Sequence, residues 1–217
     1  MAGRGFAAEP VTGREAAMPY TAKNYDRLLG LPGFSDSLLK THFKFYEAGV
    51  ARLNEMMVSI KGVDSGTEEH AEAKSTLAWE FNRMRLHEAY FENMTKKTWE
   101  LDQDSELAKQ MIASFGSVQA WKRDFKAVAG GRGVGWAVLA WDPGGRNLFN
   151  VWINEQDVGQ LFYTVSLLVF DVFEHAYIAD YGTERKGYIE AFMKVIDWME
   201  VEKRFAGVVK LTISHAY

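Results

Sequence analysis

Cysteine is absent from all 217 residues of this chain. Disulfides, thiolate metal sites and thiol nucleophiles are therefore excluded, and any metal site must use oxygen and nitrogen donors. The same absence fits a reducing compartment. Long apolar runs are missing too: none approaches the roughly 20 residues that a membrane-spanning helix needs. Basic charge is not in excess. With Lys+Arg 25 against Asp+Glu 29 the formal net charge is −4, which argues against a nucleic-acid-coating surface. It also means that an anionic substrate needs a locally positive entrance. No internal repeat or low-complexity block stands out. Residues 1–18, MAGRGFAAEPVTGREAAM, contain no apolar block resembling a secretory signal. They read as a disordered leader. Glu9 and Glu15 count against an organellar presequence, and Met18 offers an alternative start.

What is present is ordinary for a soluble domain, with 47% hydrophobic and 25% charged residues. The length suffices for one substantial core or for two small lobes sharing one. From Asp36 to Ile60, apolar residues recur every three or four positions (Leu38, Leu39, Phe43, Tyr46, Val50, Leu53, Met57), which predicts a long amphipathic helix capped by Ser35 or Asp36. A loop containing Gly62 and Gly66 precedes a second helix, predicted over Glu68 to Met94. Two long helices joined by a short polar loop suggest an antiparallel hairpin. Residues 105–129 predict two shorter helices broken at Phe115-Gly116-Ser117. Strands are predicted at Trp136 to Trp141, Asn147 to Asn154 and Val165 to Phe170. The first two flank the hairpin signal Asp142-Pro143-Gly144-Gly145. One final helix is predicted from Tyr188 to Arg204. The expected fold is α+β: a helical-hairpin domain over 19–101 and a C-terminal α/β domain over 102–217 with a small three-stranded antiparallel sheet.

The chemistry concentrates at Asp171-Val172-Phe173-Glu174-His175. A carboxylate and an imidazole four residues apart share a face if a helix begins there, and a tight turn also brings them together. His42 and His87 lie inside the two long apolar-periodic segments. One such histidine is ordinarily a hydrogen-bonded core residue. Three imidazoles and a carboxylate buried together are different, because each unsatisfied group costs about 1–3 kcal/mol and one metal ion satisfies all of them. His70, among glutamates, and His215, near the end, need no function.

At these residues the chain resembles the iron/manganese superoxide dismutase family, from Pro19 onward. DVFEHAYIADYGTERKGYIEAFMKVIDW is similar to the family signature that usually begins DVWEHAY. ASFGSVQAWKRDF followed by GVGW resembles the middle segment, and RLHEAYFENM the segment around the second histidine ligand. The resemblance implies that His42, His87, Asp171 and His175 bind one manganese or iron ion per subunit, with a slight lean to manganese. It implies disproportionation of superoxide, with superoxide and protons as substrates. Gln156 matches the glutamine that manganese-type members present to metal-bound solvent. Glu174 matches the glutamate that reaches the partner's last histidine ligand, implying a homodimer or a dimer of dimers. Trp136 and Tyr90 match walls of the site, and Arg185 a funnel arginine.

Departures accompany these matches. Arg83 stands four residues before His87, where the family has glycine or glutamine, and is expected to act on the bound solvent or the substrate. The gateway tyrosine has no counterpart at Gly49 or Val50, and Tyr46 is a candidate to replace its phenol. Ile178 and Phe173 replace an aromatic tyrosine and tryptophan. Two alternatives stay open: a structural or interaction protein keeping the fold without dismutation, and another mononuclear-metal oxidoreductase. No nucleic acid or membrane partner is expected. The expected location is cytoplasmic, or an organellar matrix if residues 1–18 act as a presequence.

Overall fold

The computed structural model describes residues 20–97 and 99–214. The leader expected over 1–18 and His215 lie outside the described residues. Helix α1, Asp36–Ser59, starts where Ser35 accepts the Leu38 amide at 3.1 Å. Helix α2, Glu68–Glu92, starts where Thr67 accepts the His70 amide at 3.2 Å. Each cap satisfies an amide that the first helical turn leaves without a partner. The helices run antiparallel, since His42 meets His87 while Gly49, two turns later in α1, meets Arg83, one turn earlier in α2. Both end slightly before the predicted limits. Ile60–Gly62 tightens into a 3-10 turn, and Asn93 leaves α2 to serve other elements.

Helices α3, Glu106–Phe115, and α4, Val118–Ala129, are separated by Gly116 in a left-handed conformation (φ 85), as the Phe115-Gly116-Ser117 break predicts. Strands β1 (Gly135–Asp142), β2 (Asn147–Asn154) and β3 (Val165–Asp171) form an antiparallel sheet in the order β2-β1-β3. The β1–β2 turn closes through the Asp142 carboxylate, which accepts the Gly144 and Gly145 amides at 3.0 Å each. Central β1 is buried along nearly its whole length, and its register places Trp136 opposite both Ile153 and Asp171. Gly135 makes that register possible: a Cβ there would overlap the Ile153 carbonyl oxygen.

The single C-terminal helix expected from Tyr188 to Arg204 is two helices. After the short α5, Ile178–Tyr181, come α6, Arg185–Lys194, and α7, Trp198–Ser214. The intervening backbone is recruited by the segment just after α2: Thr95 N–H donates to the Val195 carbonyl at 2.8 Å, and Asp197 N–H to the Asn93 carbonyl at 2.9 Å. Those tertiary bonds replace the helical ones. Asp197 then restarts the helix by accepting the Glu200 amide at 3.3 Å. One contiguous apolar core joins α1 and α2 to the sheet and to the C-terminal helices, which places the inner ends of α1, α2 and β3 together.

Candidate metal centre

His42 lies on the buried face of α1 and His87 on that of α2, each set inward by the same three-and-four spacing that buries its neighbours. Asp171 is the last residue of β3, and His175 sits in the 3-10 turn Glu174–Ala176. The Asp171/His175 pair therefore meets through a tight turn and not along a helix face. Asp171 Oδ1 accepts the Phe173 amide at 2.9 Å, which fixes the carboxylate and leaves Oδ2 to the centre.

Three imidazole nitrogens converge on that one oxygen. Asp171 Oδ2 is 3.2 Å from His42 Nε2, 3.6 Å from His87 Nε2 and 3.2 Å from His175 Nε2. The four donor atoms lie within 4.8 Å of one another, a little wider than the roughly 4.2 Å that two metal bonds of about 2.1 Å span, so a small inward turn of the side chains lets one ion take all four. Nε2 of His42 and of His87 are both buried without a hydrogen-bond partner, an arrangement that demands an explanation in a well-packed core. His87 Nδ1 is 2.7 Å from the Arg83 carbonyl oxygen. The proton therefore belongs on Nδ1, and the Nε2 lone pair faces the centre.

The electrostatics agree. Burial drives the His87 imidazolium pKa down to about 3, with the neighbouring His42 and His175 adding to the fall. Burial lowers His42 as well. For Asp171 burial acts in the opposite sense, but His175 and His42 outweigh it and hold the carboxyl well below the usual range. Neutral nitrogen donors and one carboxylate are the hard, borderline set that suits iron or manganese. The residues present thus fit such an ion.

Around these four, Trp136 packs edge-on against His87 at 4.9 Å, and its indole N–H donates to Gln156 Oε1 at 3.0 Å. Gln156 is brought inward by Glu155, whose left-handed backbone (φ 50) reverses the chain at the end of β2. Tyr90 lies 5.5 Å from the His42 ring and meets Tyr188 hydroxyl to hydroxyl at 2.9 Å. Tyr188 in turn donates to the Asp171 carbonyl at 2.8 Å. Tyr46 stacks on His87 at 6.4 Å, but its hydroxyl donates to Glu88 at 2.9 Å. Arg185 is bound to the carbonyls of Gly131 (2.6 Å) and Gly133 (3.2 Å) ahead of β1. Arg83 lies across Phe45, with its carbon Cζ 4.1 Å from the ring centroid. Glu174 is exposed and its side chain has no hydrogen bond or ion pair among the described residues. The sequence does not single out Phe45, Phe91 or Tyr188 as residues of the site. Phe45, three residues after His42, was discoverable from that spacing alone.

Residues 103–204 match the C-terminal domain of iron/manganese superoxide dismutases. A protein of Haloarcula marismortui named as a manganese superoxide dismutase is 32% identical over 193 residues, covering 87% of this chain and 91% of its own. One of Cupriavidus metallidurans named for iron is 31% identical over 186 residues, covering 83% and 92%. A manganese-named protein of Haloferax volcanii is 37% identical, and there the match spans 58% of this chain and 62% of the relative.

Proposed function

Because this chain belongs to the iron/manganese superoxide dismutase family, we propose that it disproportionates superoxide at an iron or manganese ion held by His42, His87, Asp171 and His175. The convergence of three Nε2 atoms on Asp171 Oδ2 carries this reading. Two superoxides and two protons give one oxygen and one hydrogen peroxide. The bound ion supplies a one-electron acceptor and donor, alternating between trivalent and divalent states. The chain's residues do the rest. His42 and His87, kept neutral by burial, would offer lone pairs to the ion, and Asp171 would bring one negative charge to balance part of the ion's positive charge. Trp136, Tyr90 and Phe91 help to wall His42, His87 and Asp171 off from bulk water, so that charges there interact strongly. Trp136 occupies the Gln156 carbonyl, which leaves the glutamine's NH2 group available as a donor, the role that the likeness to manganese-type members assigns to Gln156. Arg185, fixed on the loop ahead of β1, offers a positive charge for an anionic substrate in a chain that is acidic overall.

The same reading makes the active form a homodimer. Glu174 is exposed and unengaged beside His175, and a second copy supplies the partner it lacks. Among the described residues no helix is long and apolar enough to cross a membrane.

The test is superoxide consumption by protein loaded separately with manganese and with iron, with metal content measured by elemental analysis. His87→Ala is expected to lose both metal and activity. Full metal and full activity in that variant would remove His87 from the site, and an inactive, metal-loaded wild type would overturn the activity.

A further inference from the structure

Arg83 crosses from α2 to α1 into space that Gly49 leaves open: a Cβ at position 49 would lie 3.3 Å from Nε and 3.4 Å from Cζ. The guanidinium is pinned at both arms of its fork. Nη2 donates to the Phe45 carbonyl at 3.1 Å and Nη1 to Glu80 at 3.3 Å. Held there, Cζ is 4.1 Å from the Phe45 ring centroid. Phe45 packs in turn on His175, with centroids 4.3 Å apart and planes 33° from each other.

His175 is the donor that most needs such support. Its side chain is 23% exposed, against 1% for His42 and 0% for His87. It is carried by a three-residue turn, whereas His42 and His87 stand within long helices. His87 is also tied to a backbone carbonyl. The orientation of the His175 ring rests on Asp171 and on ring contacts, of which Phe45 at 4.3 Å is nearer than Phe173 at 5.2 Å. Phe45 itself is 38% exposed. Without a partner its ring would have freedom to swing into solvent, and the guanidinium removes that freedom.

We infer that Arg83 and Phe45 form a clamp that sets the plane of the His175 imidazole, so that Arg83 is a positioning residue acting through Phe45. The consequence for metal holding rests on the metal-binding reading above; the clamp itself rests on the ring geometry. The clamp requires a flat, forked cation. Lysine keeps the charge but has neither the planar face nor the two directed donors.

Two measurements on the full chain test this. The first is the rate at which excess chelator strips manganese from the loaded protein. Arg83→Lys, Arg83→Met and Phe45→Leu are each expected to release it about two- to fivefold faster, the factor matching loss of one cation–π contact at a partly exposed site. The second uses metal-free protein and the NMR shifts of the carbon-bound ring protons of His175. Phe45→Leu and Arg83→Lys are expected to move those signals while the His87 signals stay in place, and Gly49→Ala, whose Cβ crowds the guanidinium by only a few tenths of an ångström, is expected to move them less. Wild-type release and wild-type shifts in Arg83→Lys would overturn the clamp. So would a change confined to Arg83→Met, since charge alone would then explain it. If the wild type binds no metal, the metal reading fails, and the NMR comparison still decides the clamp.

Discussion

Replacing Trp136 by Phe isolates one hydrogen bond at the edge of the centre. The indole and Gln156 are both buried, and Nε1–H donates to Oε1 at 3.0 Å. Phenylalanine keeps an aromatic ring but removes the donor, leaving a buried amide carbonyl unsatisfied at about 1–3 kcal/mol. The smaller ring adds about 1 kcal/mol for incompletely filled space. The expected loss is about 2–4 kcal/mol, or roughly 4–16 °C in Tm for a chain of this size. Urea unfolding of the metal-stripped full chain measures it, at one protein concentration, because bound metal and association both add to apparent stability. The double variant Trp136→Phe/Gln156→Leu removes both partners and should recover part of the loss, giving a coupling of about 1–3 kcal/mol. A single-variant loss below about 0.5 kcal/mol, or strict additivity in the double variant, would refute the reasoning.

Asn93 is fully buried, accepts the Val169 amide at 2.8 Å and donates to the Tyr90 carbonyl at 2.9 Å. Asn93→Ala should destabilise by about 2 kcal/mol or more, visible as a lowered urea midpoint with unchanged slope. Lys126, with Nζ 2.7 and 2.6 Å from the two Glu190 carboxylate oxygens, holds that carboxyl below the usual glutamate range. Its contribution to stability is therefore present above the unfolded-state pKa and disappears as pH falls through the depressed folded value. Carbon-detected NMR titration should find Glu190 titrating low in the wild type and returning upward in Lys126→Met. Glu174→Ala should weaken self-association without altering the fold of the single chain. Sedimentation velocity reads this directly, and an unchanged association constant would place the interface elsewhere.

Much of this architecture is legible in the residues. Helix α1 announces itself through three-and-four periodicity behind Ser35, and the second half of α2 does so from Leu77 onward. The β1–β2 hairpin follows from Asp142-Pro143-Gly144-Gly145. The break between α6 and α7 is harder, because Val195 and Ile196 prolong the apolar pattern and the competing bonds come from Asn93 and Thr95, about 100 residues away. A local sign existed all the same: Asp197 followed three residues later by Glu200 is a helix-start pattern. Likewise the four donor residues stand out by type and by apolar setting, since buried imidazoles are rare without a reason. The lie of Arg83 over Phe45 does not, because it depends on the missing side chain at Gly49 in the facing helix. Nor does the route of Tyr46 to Glu88, which is decided by helix rotation within the hairpin.

The four donors come from positions 42, 87, 171 and 175, so the centre is assembled only when the helical hairpin and the end of β3 are both in place. An ion held there binds the folded chain and not the unfolded one, and so acts as a thermodynamic weight on folding. Free metal at 100 times its dissociation constant adds about 2.7 kcal/mol, a sizeable share of the 5–15 kcal/mol by which domains are ordinarily stable. The supply of metal then governs how many chains survive as well as how many work. In a metal-poor cell this protein would become scarce through turnover of its unfolded form.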